Sequence, residues 1–266
     1  MVDITPELLA QIRLAQQQKE RKVDSFSSSQ PLTSPSTPIS PAPAQGSSLR
    51  EIKDSKGNTL QQIPFEKNVI QGIVKIFGSN GKLSHEIPYE QGVLNGTMKI
   101  YDENEELRAT FPFKDGKKEG IGSIYNSQNQ KVMETSFQDD VAHGVSTAYH
   151  PNGKISMTST YDKGILGGDL HTYNEREVLL KKETYVQGLL DGVSQTFYPS
   201  GVLCEEITFK ANTPIGKATT YNEKKVPIAV KHYEEGCLVL LEVYDDNGAL
   251  LKKTVYEKDL STMEAS

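Results

Sequence analysis

A glycine recurs every 24 residues through most of this 266-residue chain, without a single insertion. The seven positions are Gly72, Gly96, Gly120, Gly144, Gly168, Gly192 and Gly216. A fixed period of about 20–50 residues is typical of repeat architectures, in which each unit buries apolar surface against its neighbours. The sequence therefore predicts a stack of similar units rather than one globular core.

Two aromatic columns keep the same period. The first lies five residues after each glycine and consists of Phe77, Tyr101, Tyr125, Tyr149, Tyr173, Phe197 and Tyr221. The second lies seven residues before each glycine and consists of Phe65, Tyr89, Phe113, Phe137, Tyr161, Tyr185 and Phe209, continuing to Tyr233. We expect the glycines and both aromatic columns to be the structural positions of the repeat.

Each period contains two β-prone stretches separated by turns. Between Gly96 and Gly120, the stretches 97–101 and 107–113 flank a polar turn, and Asp115-Gly116 begins the next turn. Such dipeptides favour tight reversals, and Gly or Pro recurring about every dozen residues argues against helices. The predicted fold class is all-β, an elongated antiparallel single-layer sheet of stacked 24-residue β-hairpins.

Alternation along the strands assigns side chains to faces. Tyr149 shares a face with Thr147 and Val145 on the first strand of its unit, and Phe209 shares one with Ile207 on the second strand of another. We expect the aromatic and aliphatic side chains to form one packed face. Thr, Ser, Lys and Glu should then form the opposite face, in contact with water.

The composition divides the chain into four parts. Residues 1–24 are predicted to form a short amphipathic helix that begins near Thr5 and Pro6, and residues 25–48 a disordered linker rich in Ser, Pro and Thr. Residues 49–257 are the repeat domain of about eight units, and residues 258–266 a tail. The final unit departs from the period, as terminal repeats commonly do.

The segment from Phe77 to Gly96 follows the pattern Tyr-x3-Gly-x-Leu-x2-Glu-x2-Tyr-x2-Gly-x3-Gly, with phenylalanine at the first position. This pattern resembles the MORN repeat variant of many bacterial proteins, including YwqK-like proteins labelled as antitoxins. The resemblance covers residues 49–257, although Asp140, Asn212 and Lys225 stand where it expects glycine. It implies stacked β-hairpins, a role in protein association and no catalytic residues.

No constellation of residues predicts an enzyme, a cofactor or a metal site. The five histidines, which are His85, His143, His150, His171 and His232, share no metal-ligand spacing. Neither a G-x-S-x-G motif nor a glycine-rich loop before a helix is present. Glu86, Glu134 and Glu206 recur in phase, and we expect them to be carboxylates of the polar face, either solvated or paired with neighbouring lysines.

The expected partner is a protein. A net charge of −6 argues against nucleic acid. No stretch reaches the roughly 20 apolar residues of a transmembrane helix, and peripheral contact with a membrane is kept as an alternative. A homodimer through an exposed edge strand is a further alternative. The two cysteines and the lack of secretory signal features favour the cytoplasm, or secretion without a cleaved signal.

Two functional hypotheses from different classes follow. The first is a non-enzymatic protein-interaction or scaffold module that presents an extended repeat surface. The second is a secreted bacterial effector, because the Ser/Pro/Thr-rich stretch at residues 25–48 resembles a secretion signal in composition. An antitoxin-like protein that neutralises a partner toxin is a third alternative, which rests on the family label alone.

Overall fold

The computed structural model describes residues 46–257, which form a single open antiparallel sheet of 22 strands. No helix occurs among these residues. The predicted all-β fold of stacked hairpins is therefore confirmed. The helix predicted for residues 1–24, nearly all of the predicted linker and the C-terminal tail lie outside the described residues.

Neighbouring strands along the chain are also neighbours in the sheet. In chain order they are β1 (Ser47–Lys53), β2 (Thr59–Glu66), β3 (Val69–Ile70), β4 (Gly72–Phe77), β5 (Leu83–Glu90), β6 (Val93–Leu94), β7 (Gly96–Tyr101), β8 (Leu107–Lys114), β9 (Lys117–Lys118), β10 (Gly120–Tyr125), β11 (Lys131–Gln138), β12 (Val141–Tyr149), β13 (Ile155–Asp162), β14 (Ile165–Tyr173), β15 (Leu179–Val186), β16 (Leu189–Leu190), β17 (Gly192–Phe197), β18 (Leu203–Lys210), β19 (Thr213–Tyr221), β20 (Pro227–Glu234), β21 (Cys237–Tyr244) and β22 (Leu250–Val255). The two-residue strands each precede a longer strand after a one-residue break, and together the pair acts as one strand.

The sheet is a series of nine hairpins, from β1–β2 to β21–β22. Within a hairpin the strands are joined by a wide turn of about five residues. Between hairpins they are joined by a tight turn of two residues, such as Lys163-Gly164. All wide turns therefore lie along one side edge of the sheet and all tight turns along the other.

Both residues of each tight turn have positive φ, as in Lys163 (48°) and Gly164 (84°), which is the backbone of a type I′ turn. The second turn residue also donates its backbone N–H to a carbonyl 22 residues earlier. For Gly164 the acceptor is the carbonyl of Ala142, at 2.7 Å, and Gly92, Gly116, Asp140, Gly188 and Asn212 repeat the bond. This turn ladder, found at six of the eight tight turns, links successive tight turns through backbone hydrogen bonds.

The three residues that replace expected glycines still adopt the left-handed conformation, with φ of 73° at Asp140, 66° at Asn212 and 64° at Lys225. Two of them compensate with their side chains. Asp140 Oδ1 accepts from the Lys118 N–H and Asn212 Oδ1 from the Leu190 N–H, each at 2.8 Å. Lys225 lies in an exposed wide turn and carries the strain of a left-handed non-glycine residue.

The substitution Lys225→Gly is expected to raise the free energy of unfolding by about 0.5 kcal/mol, because relief of backbone strain exceeds the added entropy of the unfolded chain. Urea unfolding monitored by circular dichroism measures the change. The matched control is Lys224→Gly, since Lys224 has no positive φ and should lose stability on substitution. Equal changes at the two positions would contradict the strain argument.

The two aromatic columns lie on opposite faces of the sheet. In the hairpin β12–β13, Gly144 pairs with Tyr161, whereas Thr147, on the face of Tyr149, pairs with Thr158. The expectation of one face carrying both columns is therefore wrong. We call face A the face that carries the second-strand column, from Phe65 to Tyr233, and face B the face that carries the first-strand column, from Phe77 to Tyr221.

The apolar core lies on face A of the N-terminal hairpins. It consists of the buried side chains of Val74, Ile87, Met98, Ala109 and Phe111. The Phe111 ring contacts the Phe137 ring edge to face, with centroids 6.0 Å apart. A Cβ added at Gly122 would lie 2.7 Å from Phe111 Cδ1, so this ring rests directly on backbone. Because the sheet has a single layer, these side chains are buried by packing against the backbone of neighbouring strands.

The repeated glycines mark a place where adjacent strands come unusually close. Gly96 has a φ of 112°, and a Cβ added there would lie 3.2 Å from the ring of Pro88 in the preceding hairpin. At Gly168 the same atom would lie 3.3 Å from Thr160. Positive φ is common to all seven repeated glycines, and at Gly96 and Gly168 the close approach selects glycine as well.

Candidate functional site

Face B carries a row of exposed aliphatic side chains along the tight-turn edge. Each is between 41% and 58% exposed, and the set, called the aliphatic band below, consists of Val69, Ile73, Ile121, Val141, Val145, Ile165, Val186, Leu189 and Val193. Contiguous exposed apolar surface of this kind marks interaction sites on soluble proteins. Val145 was expected on a packed face, and the exposure of this row was not predicted from the sequence.

The register of the strands places the band on one face. Val145 pairs with Thr160, on the face opposite Tyr161, and Val186 pairs directly with Leu189 across a tight turn. Ile165 extends to the next tight turn, where a Cβ added at Gly188 would lie 3.6 Å from Ile165 Cγ2. The small turn residues thus leave the aliphatic side chains uncovered from one hairpin to the next.

The surroundings of the band are charged but mixed in sign. Lys117 Nζ lies 2.7 Å from Asp139 Oδ1, and His143 Nδ1 lies 3.3 Å from Asp162 Oδ1. Together with Asp140, these carboxylates give the middle of the band an acidic rim. Lys114, Lys117 and Lys163 lie along the same edge, so acidic and basic side chains alternate beside the band.

Away from the band, two of the three recurring glutamates on face B organise a polar row. Tyr101 Oη donates to Glu86 at 2.9 Å and Tyr149 Oη to Glu134 at 2.5 Å. Lys99 lies 3.4 Å from Glu86, and Lys131 forms an ion pair with Glu134. The predicted pairing with lysine is thus found at both positions, whereas the third glutamate, Glu206, accepts from Gln195 Nε2 at 2.7 Å.

These contacts shift ionisation equilibria. Burial and the Glu86 carboxylate raise the pKa of Tyr101 to about 12. The hydrogen bond to Glu134, with burial, raises the pKa of Tyr149 to about 12. Lys131 and then Tyr149 lower the pKa of Glu134. The arrangement keeps both phenols neutral as hydrogen-bond donors, which is structural chemistry rather than activation of a nucleophile.

Stability should decline as the pH rises from about 10 to about 12, because an unfolded chain releases tyrosine protons near pH 10 and the folded chain holds these two longer. The double variant Tyr101→Phe/Tyr149→Phe should show a shallower decline in urea unfolding over that range. Tyr125→Phe is the control, since Thr110 occupies the repeat position of Glu86 in its unit. An unchanged decline in the double variant would contradict the assignment.

The histidines and cysteines are dispersed among the described residues. No group of three or more His, Cys, Asp or Glu in residues 46–257 could hold a metal ion. His150 Nε2 lies 2.9 Å from the carbonyl of Tyr173, and burial lowers the pKa of His85. Cys204 and Cys237 are free thiols. In this segment there is also no helix long and apolar enough to cross a membrane.

The repeat frame agrees with a known family. The model of the MORN repeat variant matches residues 70–91, 94–115, 142–163 and 190–211. These four stretches of the chain are MORN repeat variants. Each match begins two residues before a repeated glycine, covers a hairpin with its wide turn and ends at the first residue of the next tight turn. MORN repeats are in general protein-binding or membrane-binding modules.

Other comparisons add little. No curated protein matches the chain. S. aureus TarM, solved with Fondaparinux, alpha-GlcNAc-glycerol and UDP, is 15% identical with a TM-score of 0.29, over 45% of this chain and 21% of that one. A GtfA/B complex bound to UDP and GlcNAc is 14% identical with a TM-score of 0.21, over 41% and 21%. A porin-like protein from Bacteroides uniformis is 10% identical with a TM-score of 0.21, over 81% and 98%. The chain thus spans about a fifth of the first two structures.

Proposed function

We propose that the MORN array is a non-enzymatic protein-binding module whose aliphatic band holds an apolar segment of a partner protein. The observation that supports it is the concentration of exposed aliphatic side chains on face B, whereas the apolar side chains of face A are mostly buried or half-buried. A soluble protein rarely leaves a contiguous apolar row uncovered unless another surface binds it.

Charge favours a protein over an anionic membrane as the occupant. Membrane-surface proteins gain about 1 kcal/mol for each Lys or Arg near anionic lipid. The band instead has Asp139, Asp140 and Asp162 beside its central valines and isoleucine. The carboxylates of Asp140 and Asp162 would repel lipid phosphates and attract Lys or Arg, whereas Asp139 already pairs with Lys117. The partner segment should therefore combine apolar side chains with basic flanks.

A peptide array tests this function directly. The full chain is applied to synthetic peptides that vary independently in apolar content and in net charge. We expect binding to peptides with several aliphatic or aromatic residues and flanking lysines. The variant Val145→Ser/Ile165→Ser/Leu189→Ser should bind these peptides roughly a hundredfold more weakly, because each truncation removes about 1 kcal/mol of apolar contact.

The matched control makes the same kind of change elsewhere. Leu250 and Leu251 are exposed leucines of β22, outside the band, and Leu250→Ser/Leu251→Ser should leave peptide binding unchanged. Equal loss in both variants, or binding that follows peptide charge alone, would argue against the band. Stronger binding to phosphatidylserine vesicles than to any peptide would favour a membrane-binding role instead.

The secretion hypothesis concerns a different part of the chain. It rests on the composition of residues 1–48, and a fusion of these residues to a reporter tests it. Failure of the fusion to leave secretion-competent cells would exclude it while leaving the band proposal untouched. The antitoxin alternative has only the family label behind it.

A further inference from the structure

Both ends of the sheet are exposed strands. Within residues 46–257, β1 pairs only with β2 and β22 only with β21. Every residue of β1 is exposed, and so are all but one of β22. Each end therefore presents a row of backbone groups that can pair with a further strand.

The strand pairing has the same register wherever two hairpins meet. The second strand of a hairpin pairs with the first strand of the next, in a register that recurs every 24 residues. In β2 and β4 the pairs are Gln61 with Ile76 and Gln62 with Lys75. In β15 and β17 they are Lys181 with Thr196 and Lys182 with Gln195.

The two end strands fit this register when they belong to different copies of the chain. β22 is the second strand of its hairpin. Its Lys252 and Lys253 occupy the repeat positions that Gln61 and Gln62 occupy in β2. β1 is the first strand of its hairpin. Its Ile52 and Glu51 occupy the repeat positions that Ile76 and Lys75 occupy in β4. Continuing the register would pair Lys252 with Ile52, and Lys253 with Glu51, of a second copy.

Charge favours this pairing over the alternatives. Lys253 Nζ already lies 2.9 Å from Glu242 Oε1 on face B, and Glu51 of the second copy would supply a carboxylate on its other side. Pairing of β22 with another β22 would instead bring the lysines Lys252 and Lys253 of both copies together. Like charges on facing edge strands oppose association.

An aromatic side chain and a cleft support the same register. Tyr256, just after β22, holds the frame position of Tyr233 on face A and is 40% exposed. At the other end, a shallow cleft of about 430 Å³ opens beside β1, lined by Ser48, Leu49, Arg50, Phe65 and Asn68. Continuation of the sheet places Tyr256 of one copy at the tight-turn edge beside this cleft of the next.

We infer that copies of this chain associate head to tail, with β22 of one copy pairing antiparallel with β1 of the next so that the repeat frame continues across the junction. The interface joins two different surfaces, and it can therefore repeat and produce chains of copies rather than a closed dimer. This inference is independent of the aliphatic band, none of whose residues belongs to β1 or β22.

Charge reversal with mixing tests the inference on the full chain. We expect the average mass of the wild type in sedimentation velocity to rise with concentration. Glu51→Lys and Lys253→Glu should each weaken self-association at least about tenfold, since each creates a like-charge pair at the junction. An equimolar mixture of the two variants should associate again, because the two reversed charges then face each other with opposite sign across the junction.

Two controls accompany the mixing experiment. Circular dichroism melts of each variant alone check that loss of association is not loss of fold, and Glu103→Lys, in a wide turn, controls for net charge. A wild type that stays monomeric at every concentration would overturn the inference. Association that is insensitive to Glu51→Lys, or that mixing does not restore, would also overturn it, because the junction would not then be β22 with β1.

Discussion

Removing the ring of Phe111 should lower the free energy of unfolding by about 3 kcal/mol, the largest loss expected from a single truncation in this sheet. The ring is 8% exposed, contacts Phe137 edge to face, and has Lys118 Nζ 5.1 Å from its centroid. Because it also covers the Gly122 backbone, Phe111→Ala exposes both apolar side chains and main chain. Urea unfolding followed by circular dichroism gives the value.

The loss should be local. In a repeat array each unit contacts only its neighbours, so stability is nearly a sum over units and their junctions. Hydrogen exchange in Phe111→Ala should accelerate in β4–β11 and change little in β17–β20. Phe197→Ala, a truncation on face B, serves as the control with the smaller expected loss. Uniform acceleration along the whole sheet would show that the array unfolds as one unit.

The substitution Gly96→Ala should cost about 3 kcal/mol, although it adds one methyl group. At a φ of 112° an L-residue is strained, and the added Cβ would lie 3.2 Å from two atoms of the Pro88 ring. The same substitution at Gly216 should cost only about 1 kcal/mol. There φ is 66°, in the left-handed region, and nothing lies within 4 Å of the added Cβ.

This pair separates the two causes of the glycine period. Thermal or urea unfolding of both variants measures the difference, and the two sites occupy the same place in the repeat. If Gly216→Ala were as costly as Gly96→Ala, backbone conformation alone would explain the glycines. If both were nearly neutral, the strained geometry at these positions would be wrong.

The architecture was predictable from sequence because it depends on local chemistry that the repeat states many times. Tight turns such as Asp115-Gly116 need positive φ, and the period of Gly72 to Gly216 indicates where each hairpin begins. Two of the residues that replace a glycine preserve the turn, since Asp140 and Asn212 keep the left-handed conformation of glycine and add a side-chain hydrogen bond.

The faces were harder to predict, because alternation along one strand says nothing about its partner. In these hairpins an odd-numbered residue pairs with an even-numbered one, as Gly144 does with Tyr161. Tyr149 and Tyr161 are both odd and so lie on opposite faces. Only the register across the wide turn decides this, and the register shifts between Ala148 and Tyr149, just before that turn, which sequence composition does not show.

The aliphatic band escaped the sequence analysis for a related reason. Its signal was present as aliphatic residues at 24-residue steps, for instance Val141, Ile165 and Leu189. Taken alone, such residues in a strand indicate burial. They prove to be exposed because a single layer has nothing to cover face B among the described residues, which is a property of the assembled sheet rather than of any one hairpin.

The turn ladder has a consequence for how such a chain can change in length. Each junction between hairpins is made by the main chain, as in the bond from the Gly164 N–H to the Ala142 carbonyl. If one 24-residue repeat were duplicated or deleted, the strands on both sides of the change could therefore still pair. The number of repeats can therefore change without redesign of the main-chain bonds at the junctions, and the length of the sheet changes in steps of one repeat.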